Sequence, residues 1–596
     1  MGTRGLTRAW TTGSPPTQGA SLLDRVLEVR GLLDSDERGA FLEPSLSALH
    51  DPSLIPDLDK GADRLLRAVR EREPIAIYGD YDVDGVTATA ILFHTLKTID
   101  PDADICTYVP HRLDEGYGLN SDAVRSLAAE GARVIVSVDC GVTAHEPALA
   151  AREAGADLII TDHHNPPATA ADLPDAFAVI HPRHPDSEYP FGELCGAGVA
   201  YKLAWRLATM HCKSDRVSPE LRQTLIDMLA PCALGVIADV VPLVGENRVI
   251  ARYGLSMVKR SSLIGLRALV RASGLDGEDI DSEKVGFRIA PRLNACGRLG
   301  HASEAVELMI TTDKAKAARI AEAFTQLNDD RRRVERKILE QACEMAEASG
   351  MTGPDARAIV LAHKDWHPGV VGIVCSRLVE RYARPAILLQ DQGELLTGSG
   401  RSIDGFNLHG ALESCAEHLT GFGGHDMAAG LRLAPENLAA FTEAMLVHSA
   451  DRLAPEDLVL GLKYDCDVRP EELTPGAVKS LDALAPFGRS NPRVRLRIDG
   501  LRIAGQPRVF GKLGAHLNIL LESRDAGPRA IGTVAWGWAE HAERLPRGTR
   551  VDAIVAPRIS DYSGRVEPEL LDLRIHEAHE KAAPGSPEGG LSVISG

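Results

Sequence analysis

Four short, continuously apolar runs constrain this chain more than any other feature. Residues 75–78, 134–138, 158–160 and 178–180 read as strands, and helical patterns follow the first two, at 86–97 and near 144–154. Apolar strands alternating with helices imply a parallel sheet covered on both faces. Acidic residues stand directly behind three of these runs. Asp80, Asp82 and Asp84 follow the first in DYDVDG, Asp139 follows the second in VDCG, and Asp162 follows the third in TDHHN, with His163 and His164 next. Ligands of open parallel sheets bind beyond the carboxyl ends of the strands. Three separate segments therefore deliver carboxylates, and one delivers two imidazoles, to one edge. A single Asp at such a place serves equally well as a helix N-cap. The repetition points instead to a metal site.

Aspartates this close repel one another and resist joint ionisation unless a cation holds them. Aspartate with histidine suits Mn²⁺, Mg²⁺ or Zn²⁺, and an excess of carboxylates favours the harder ions. The same excess suits two ions ~3.5–4 Å apart that share a bridging acid, for which Asp139 is the candidate. Gly85 is expected to turn the chain and aim backbone N–H groups at a phosphate. Asp239, in GVIADVVPL, is unremarkable taken alone.

At 596 residues the chain has room for three or four domains. No stretch resembles a signal peptide or a membrane span, and no cysteine pair forms C-x-x-C. A cytoplasmic protein is the expectation. The net charge of −18 argues mildly against a nucleic-acid partner, although local positive charge can coexist with an acidic exterior. The expected organisation is α/β and multidomain. Residues 1–20 are disordered, 21–311 form a parallel-sheet catalytic domain with an N-terminal helical segment, and 312–349 form a long connecting helix. Residues 350–452 form a second α/β domain, 456–575 a C-terminal β-barrel rich in short alternating strands, and 577–596 a disordered tail.

Further polar groups fit phosphate chemistry. Arg112, Arg292, Asn294 and Arg298 fall in stretches that read as loops, and arginine suits bidentate phosphate contact. Ser399, Arg401 and Ser402 in GSGRS read as a phosphate cradle, with His425 in GGH beside it. In the third region Arg489, Arg493, Arg495, Arg497, Arg502, Arg508 and Lys512, with Phe487, Phe510 and Trp536, fit either a single-strand groove or an ordinary exposed strand face.

DYDVDG, VDCG, TDHH and GVIADVVPL, in this order, resemble the DHH phosphoesterase superfamily. PHRLDEGYGLN, APRLNACGRLG, WHPGVVGIVCSRL, GSGRS, GFGGHDMAAG and APFGRSNPRV extend the resemblance to the RecJ family of exonucleases, over about residues 21–575. The resemblance implies a DHH domain, a DHHA1 domain and an oligonucleotide-binding (OB) barrel. It implies metal ligands Asp82, Asp84, Asp139, His163 and Asp239 for two divalent ions, Mn²⁺ or Mg²⁺, with Asp80 close by and His164 facing the scissile phosphate. Arg112 and Arg292 would read the terminal 5′ phosphate. The implied activity is 5′→3′ degradation of single-stranded DNA to 5′-mononucleotides in recombination and repair, with a helicase and a single-strand DNA-binding protein as partners. Superfamily members often carry His four residues before the first ligand Asp, where this chain has Tyr78. The alternative within the superfamily is a phosphoesterase for short RNA, cyclic dinucleotides or pyrophosphate, although such proteins generally lack the barrel.

Overall fold

The computed structural model describes residues 3–13, 19–111, 115–116, 118–523, 530–560 and 563–576. They form two units. The larger spans residues 34–459 and 483–493, and the smaller draws on 1–33, 460–482 and 494–596.

The first sheet of the larger unit contains β1 (Ile75–Gly79), β2 (Ile105–Tyr108), β3 (Val134–Val138), β4 (Asp157–Thr161) and β5 (Ala178–Ile180). Their order is β2-β1-β3-β4-β5 and every pair is parallel. β1 and β3 are buried along their whole length, which is why they read as apolar runs, with Ser137 the one polar residue among them. Helix α1 (Val83–Ile99) follows β1 and is buried over most of its surface. It packs on α2 (Gly196–Cys212) and α3 (Pro219–Ala238). α3 is long and apolar enough to cross a membrane by length and composition, yet most of it is buried inside the protein. Its C-cap is Asp239.

A π-helical turn at Val285–Ile289 runs into α4 (Ala290–Leu299), and α5 (Lys314–Ala348) is a 35-residue helix capped by Asp313. Two arginines of NDDRRRVERK pair along that helix, Arg331 with Glu335 and Arg333 with Asp330. A second sheet follows, built from β6 (Ile359–His363), β7 (Ala386–Asp391), β8 (Leu396–Arg401), β9 (Gly421–His425) and β10 (Ala428–Leu433), with helix α6 (Pro368–Tyr382) packed on β7 and β8. Its order is β9-β10-β8-β7-β6, and only the β6–β7 pair is parallel.

In the smaller unit five strands close into a barrel. Leu496–Ile503 pairs with Arg550–Ala556 on one side and with His516–Ser523 on the other, and Glu569–Ile575 and Ala530–Ala535 complete the circuit. Two departures from the sequence reading concern this unit. Residues 1–20, expected to be disordered, contain strands Thr3–Arg4 and Ala9–Thr12, and the second pairs in parallel with Gly461–Tyr464. Trp10 is buried there and its Nε1 donates to Asp572 Oδ2 (2.7 Å). Residues 483–493, expected within the barrel region, belong to the larger unit. The expected disordered tail, 577–596, lies outside the described residues.

Candidate metal centre

The β-strand ends deliver what their sequence pattern promises, with each acid in a distinct role. Asp82 caps α1, its Oδ1 accepting from Asp84 N (2.8 Å) and Gly85 N (3.2 Å). The N-cap reading of this residue therefore holds. Asp84 lies in the first turn of α1, and its carboxylate accepts from Gly196 N (2.6 Å) and Ala197 N (2.9 Å) at the start of α2. Asp139 leaves β3 in the left-handed region, φ +64. Val240, just after Asp239, has φ +59. β-Branched residues avoid that region, and such strain gathers at functional sites.

Three clusters of donor atoms result, each within 4.8 Å: Asp80, Asp82 and Asp139; Asp139, His163 and His164; Asp84, His163 and Asp239. Asp139 joins the first two and His163 the last two. His163 Nε2 lies 3.1 Å from Asp139 Oδ1, 3.6 Å from Asp239 Oδ2 and 3.9 Å from Asp84 Oδ2. Both His163 Nε2 and Asp139 Oδ1 are buried without a hydrogen-bond partner. Two buried acceptor-capable atoms facing each other unbonded are costly, and a cation between carboxylates resolves that cost. Burial drives the His163 pKa down to about 4, so the imidazole is neutral near pH 7, the form a metal requires. Burial, then repulsion from Asp84 and Asp82, pushes Asp239 up to about 8, and burial raises Asp84 and Asp139 as well. The donor set fits divalent cations of the hard type.

These raised values carry a prediction. The stability tied to the protonated carboxylates is complete below about pH 4 and is lost as pH rises through the folded-state values, about 8 for Asp239. A divalent cation binds the ionised forms and removes that loss. The rise in melting temperature when Mn²⁺ is added to chelator-treated protein is expected to grow between about pH 6 and about pH 8. A rise that is flat or shrinks over that range contradicts a carboxylate-dominated site.

Asp162, the acid of the third strand, is not a member of these clusters. It accepts from Val142 N (2.8 Å), His163 N (2.7 Å), His164 N (3.1 Å) and His164 Nδ1 (2.7 Å). Burial would raise its pKa, but these donors hold it well below the usual carboxylate range. Burial would likewise lower that of His164, yet Asp162 lifts it to about 9. That shift favours the imidazolium form of the half-buried His164, which suits an anion, and its ring also stands in the Asp139–His163 donor cluster. Tyr78, at the superfamily His position, is buried and donates from its hydroxyl to Gly118 O (3.0 Å), while Asp80 is the acid that completes the Asp82–Asp139 cluster.

Close packing explains two glycines. Gly85, expected to turn the chain and face a phosphate, lies in the first turn of α1 and donates its N–H to Asp82 Oδ1 (3.2 Å). A Cβ there would lie 2.6 Å from the Asp80 backbone, so Gly85 lets α1 start against the DYDVDG turn. At Gly196 a Cβ would lie 2.5 Å from Asp139 Cβ. Gly196→Ala is expected to displace Asp139, cutting activity ~10-fold or more and costing about 1–3 kcal/mol of stability. Activity within about twofold of the parent would show that Asp139 moves freely.

The phosphate-binding candidates divide. Arg292, Asn294 and Arg298 lie on α4, not in loops. Arg292 donates to Thr325 Oγ1 (3.1 Å) and Arg288 O (2.6 Å), and Arg298 to Gly369 O (2.8 Å). Asn294 Oδ1 accepts from Val83 N (3.3 Å), which ties α4 to the metal loop. Ser399 and Arg401 share a face of β8 next to Gly372 of α6. Ser402, just past the strand, is turned inward and donates to Phe406 O (2.6 Å), which removes it from the cradle. His425 Nδ1 lies 3.4 Å from Asn165 Nδ2, the residue after the His pair. Arg112 lies outside the described residues.

The strand-end rule, applied once more, would have found two groups the sequence reading missed. His181 and Arg183 follow β5. His181 Nε2 lies 2.7 Å from His164 O, and Arg183 bonds to His163 O (2.7 Å) and Asn165 Oδ1 (3.1 Å). In the barrel unit Phe510, His516 and Trp536 form a ring cluster, with His516 and Trp536 centroids 4.8 Å apart and Trp536 47% exposed. Arg497 there is paired with Asp499 (2.7 Å).

The sequence matches the N-terminal domain of the DHH family over residues 74–234, the DHHA1 domain over 355–446 and the RecJ OB domain over 464–571. It is 36% identical over 588 residues to the single-stranded-DNA-specific exonuclease RecJ of Bacillus subtilis, covering 96% of this chain and 72% of that protein. It is 33% identical to the enzyme of that name from Escherichia coli, covering 87% and 90%. The crystal structure of RecJ in complex with Mn²⁺ from Thermus thermophilus superposes with a TM-score of 0.79 at 30% identity, covering 96% of this chain and 81% of that one. The chain belongs to the RecJ family of DHH-domain proteins.

Proposed function

We propose that the chain is a single-stranded-DNA-specific exonuclease that works 5′→3′, releases 5′-mononucleotides and uses two divalent ions, Mn²⁺ or Mg²⁺, in DNA recombination and repair. The observation that carries this reading is the pair of unbonded buried atoms, Asp139 Oδ1 and His163 Nε2, among carboxylates from three segments. Asp80, Asp82 and Asp139 would hold one ion, and Asp84, Asp139, His163 and Asp239 the other. Divalent ions held there supply Lewis acidity toward a phosphate oxygen and make water a competent nucleophile near neutral pH.

The chain's own residues do the rest. His164, kept protonated by Asp162, donates to the scissile phosphate and stabilises the charge that grows on it. Arg112, Arg292, Arg298, Ser399, Arg401 and His425 would hold the terminal 5′ phosphate, which limits cutting to the end of the strand. Residues 21–311 carry the chemistry and share the terminal-phosphate pocket with 350–452, and 456–575 form the strand-binding barrel, apart from 483–493. The Phe510–His516–Trp536 cluster offers bases a stacking surface. A helicase and a single-strand DNA-binding protein are the partners such an activity calls for, and the cytoplasm is where it would act.

The test is single-stranded DNA labelled at either end, with Mn²⁺ or with chelator. Immediate release of the 5′ label as a mononucleotide, with stepwise shortening of 3′-labelled strands, is the expected result. Attack from the 3′ end, or cleavage of pyrophosphate far faster than DNA, would overturn the reading.

A further inference from the structure

The donor clusters are linked through shared members: Asp139 joins the Asp80–Asp82 cluster, the first end of this chain of contacts, to His163, and His163 joins Asp139 to the Asp84–Asp239 cluster, its second end. α4 lies against the first end through the Asn294–Val83 bond. Residues 483–493, which belong to the same unit, touch the turn that follows Asp239 at the second end. Leu243 N donates to Arg489 O (2.9 Å), and Arg489 Nη1 reaches Val240 O (3.4 Å), so this loop lies along the turn that follows Asp239.

The loop is anchored far more firmly than an ordinary surface connection. Arg248, fully buried, donates to the carbonyls of Leu484 (3.0 Å) and Ala485 (3.0 Å), and its guanidinium stacks 3.7 Å from the Phe41 ring centroid. Asn491 Nδ2 donates to Leu484 O and Pro486 O, both at 2.8 Å. Ser282 Oγ donates to Phe487 O (2.6 Å). What this scaffold presents is an exposed guanidinium, that of Arg489, close enough for its charge to act on Asp239. A rigidly mounted arginine at the rim of a metal site has the geometry and charge for a phosphodiester oxygen pair.

We propose that Arg489 binds the backbone phosphate on the 3′ side of the scissile bond. The strand's terminal nucleotide then lies toward α4, and the remainder leaves past residues 483–493. This rests on the nuclease reading and adds a direction and a contact to it. A 5′-phosphorylated dinucleotide has a scissile phosphate but no phosphate beyond it, whereas a trinucleotide has one.

The experiment compares Mn²⁺-loaded wild type, Arg489→Gln and Arg489→Lys on both substrates. Arg489→Gln is expected to raise KM for the trinucleotide about 5–20-fold with kcat little changed, to leave the dinucleotide unaffected, and to be partly rescued by Arg489→Lys. Wild type should lose the same factor on a trinucleotide whose second linkage is an uncharged methylphosphonate, a measurement that does not depend on any variant's folding. An equal loss on both substrates, no loss on either, or indifference of wild type to the methylphosphonate would overturn the assignment. Failure of wild type to cut either substrate would overturn the nuclease reading, and the assignment with it.

Discussion

Asp139→Asn is expected to remove hydrolysis, with a loss in kcat of about 10³-fold or more, while the protein stays folded. Asp139 belongs to the Asp80–Asp82 cluster, and its Oδ1 lies 3.1 Å from His163 Nε2, a member of the Asp84–Asp239 cluster, so both ions would lose a shared ligand at once. Asn is the better replacement because it tolerates the left-handed backbone at this position, where Ala would add strain. The stability readout separates function from folding. Asp139 is buried, and burial followed by repulsion from Asp84, Asp82 and Asp80 raises its pKa. Replacing it removes an unfavourable buried charge from the metal-free protein. In chelator the variant should therefore melt at or above the wild-type temperature, as expected where a site is kept for activity at the expense of stability. It should also lose most of the Mn²⁺-induced rise. Wild-type activity in this variant, or an unchanged rise with Mn²⁺, would sink the shared-ligand assignment.

The centre was legible in the sequence to the extent that its residues are local. Buried parallel strands write themselves as apolar runs, and Asp80, Asp82, Asp84, Asp139 and His163 sit directly behind such runs. Asp239 was not legible from its surroundings. It caps a core helix of a different region and reaches the site only because α3 packs on α1; only the family resemblance pointed to it. Nor could spacing reveal that Asp162 bonds to His164 while the other acids form the donor clusters, since that depends on which N–H groups surround each carboxylate. α4 was misread as loop because Pro291, Gly297 and the following Gly300 look like turn residues, although Pro is at home in a first helical turn. The strand Ala9–Thr12 was missed because its partner, Gly461–Tyr464, is some 450 residues away. Residues 483–493 look like the start of the barrel, and the buried Arg248 that ties them to the larger unit carries no local signal.

The adjacent histidines should give opposite thermal results for similar kinetic damage. His164→Ala is expected to lower kcat about 10²-fold or more and to leave the Mn²⁺-induced rise in melting temperature intact. His163→Ala should lose both. The difference follows from their surroundings. His163 is buried and neutral, with Nε2 unbonded among Asp139, Asp239 and Asp84. His164 is partly open to solvent and bound through Nδ1 to Asp162 Oδ1, which holds its pKa at about 9. Its ring is cationic in the working range and can donate to a phosphate oxygen, but it offers no lone pair to an ion. Asp162→Asn tests the arrangement from behind. It weakens the hold on the His164 ring while leaving every proposed ligand in place, so kcat should fall with the metal-induced rise retained. If His164→Ala abolishes the Mn²⁺ response as fully as His163→Ala does, His164 is a ligand and its assignment to the phosphate is wrong.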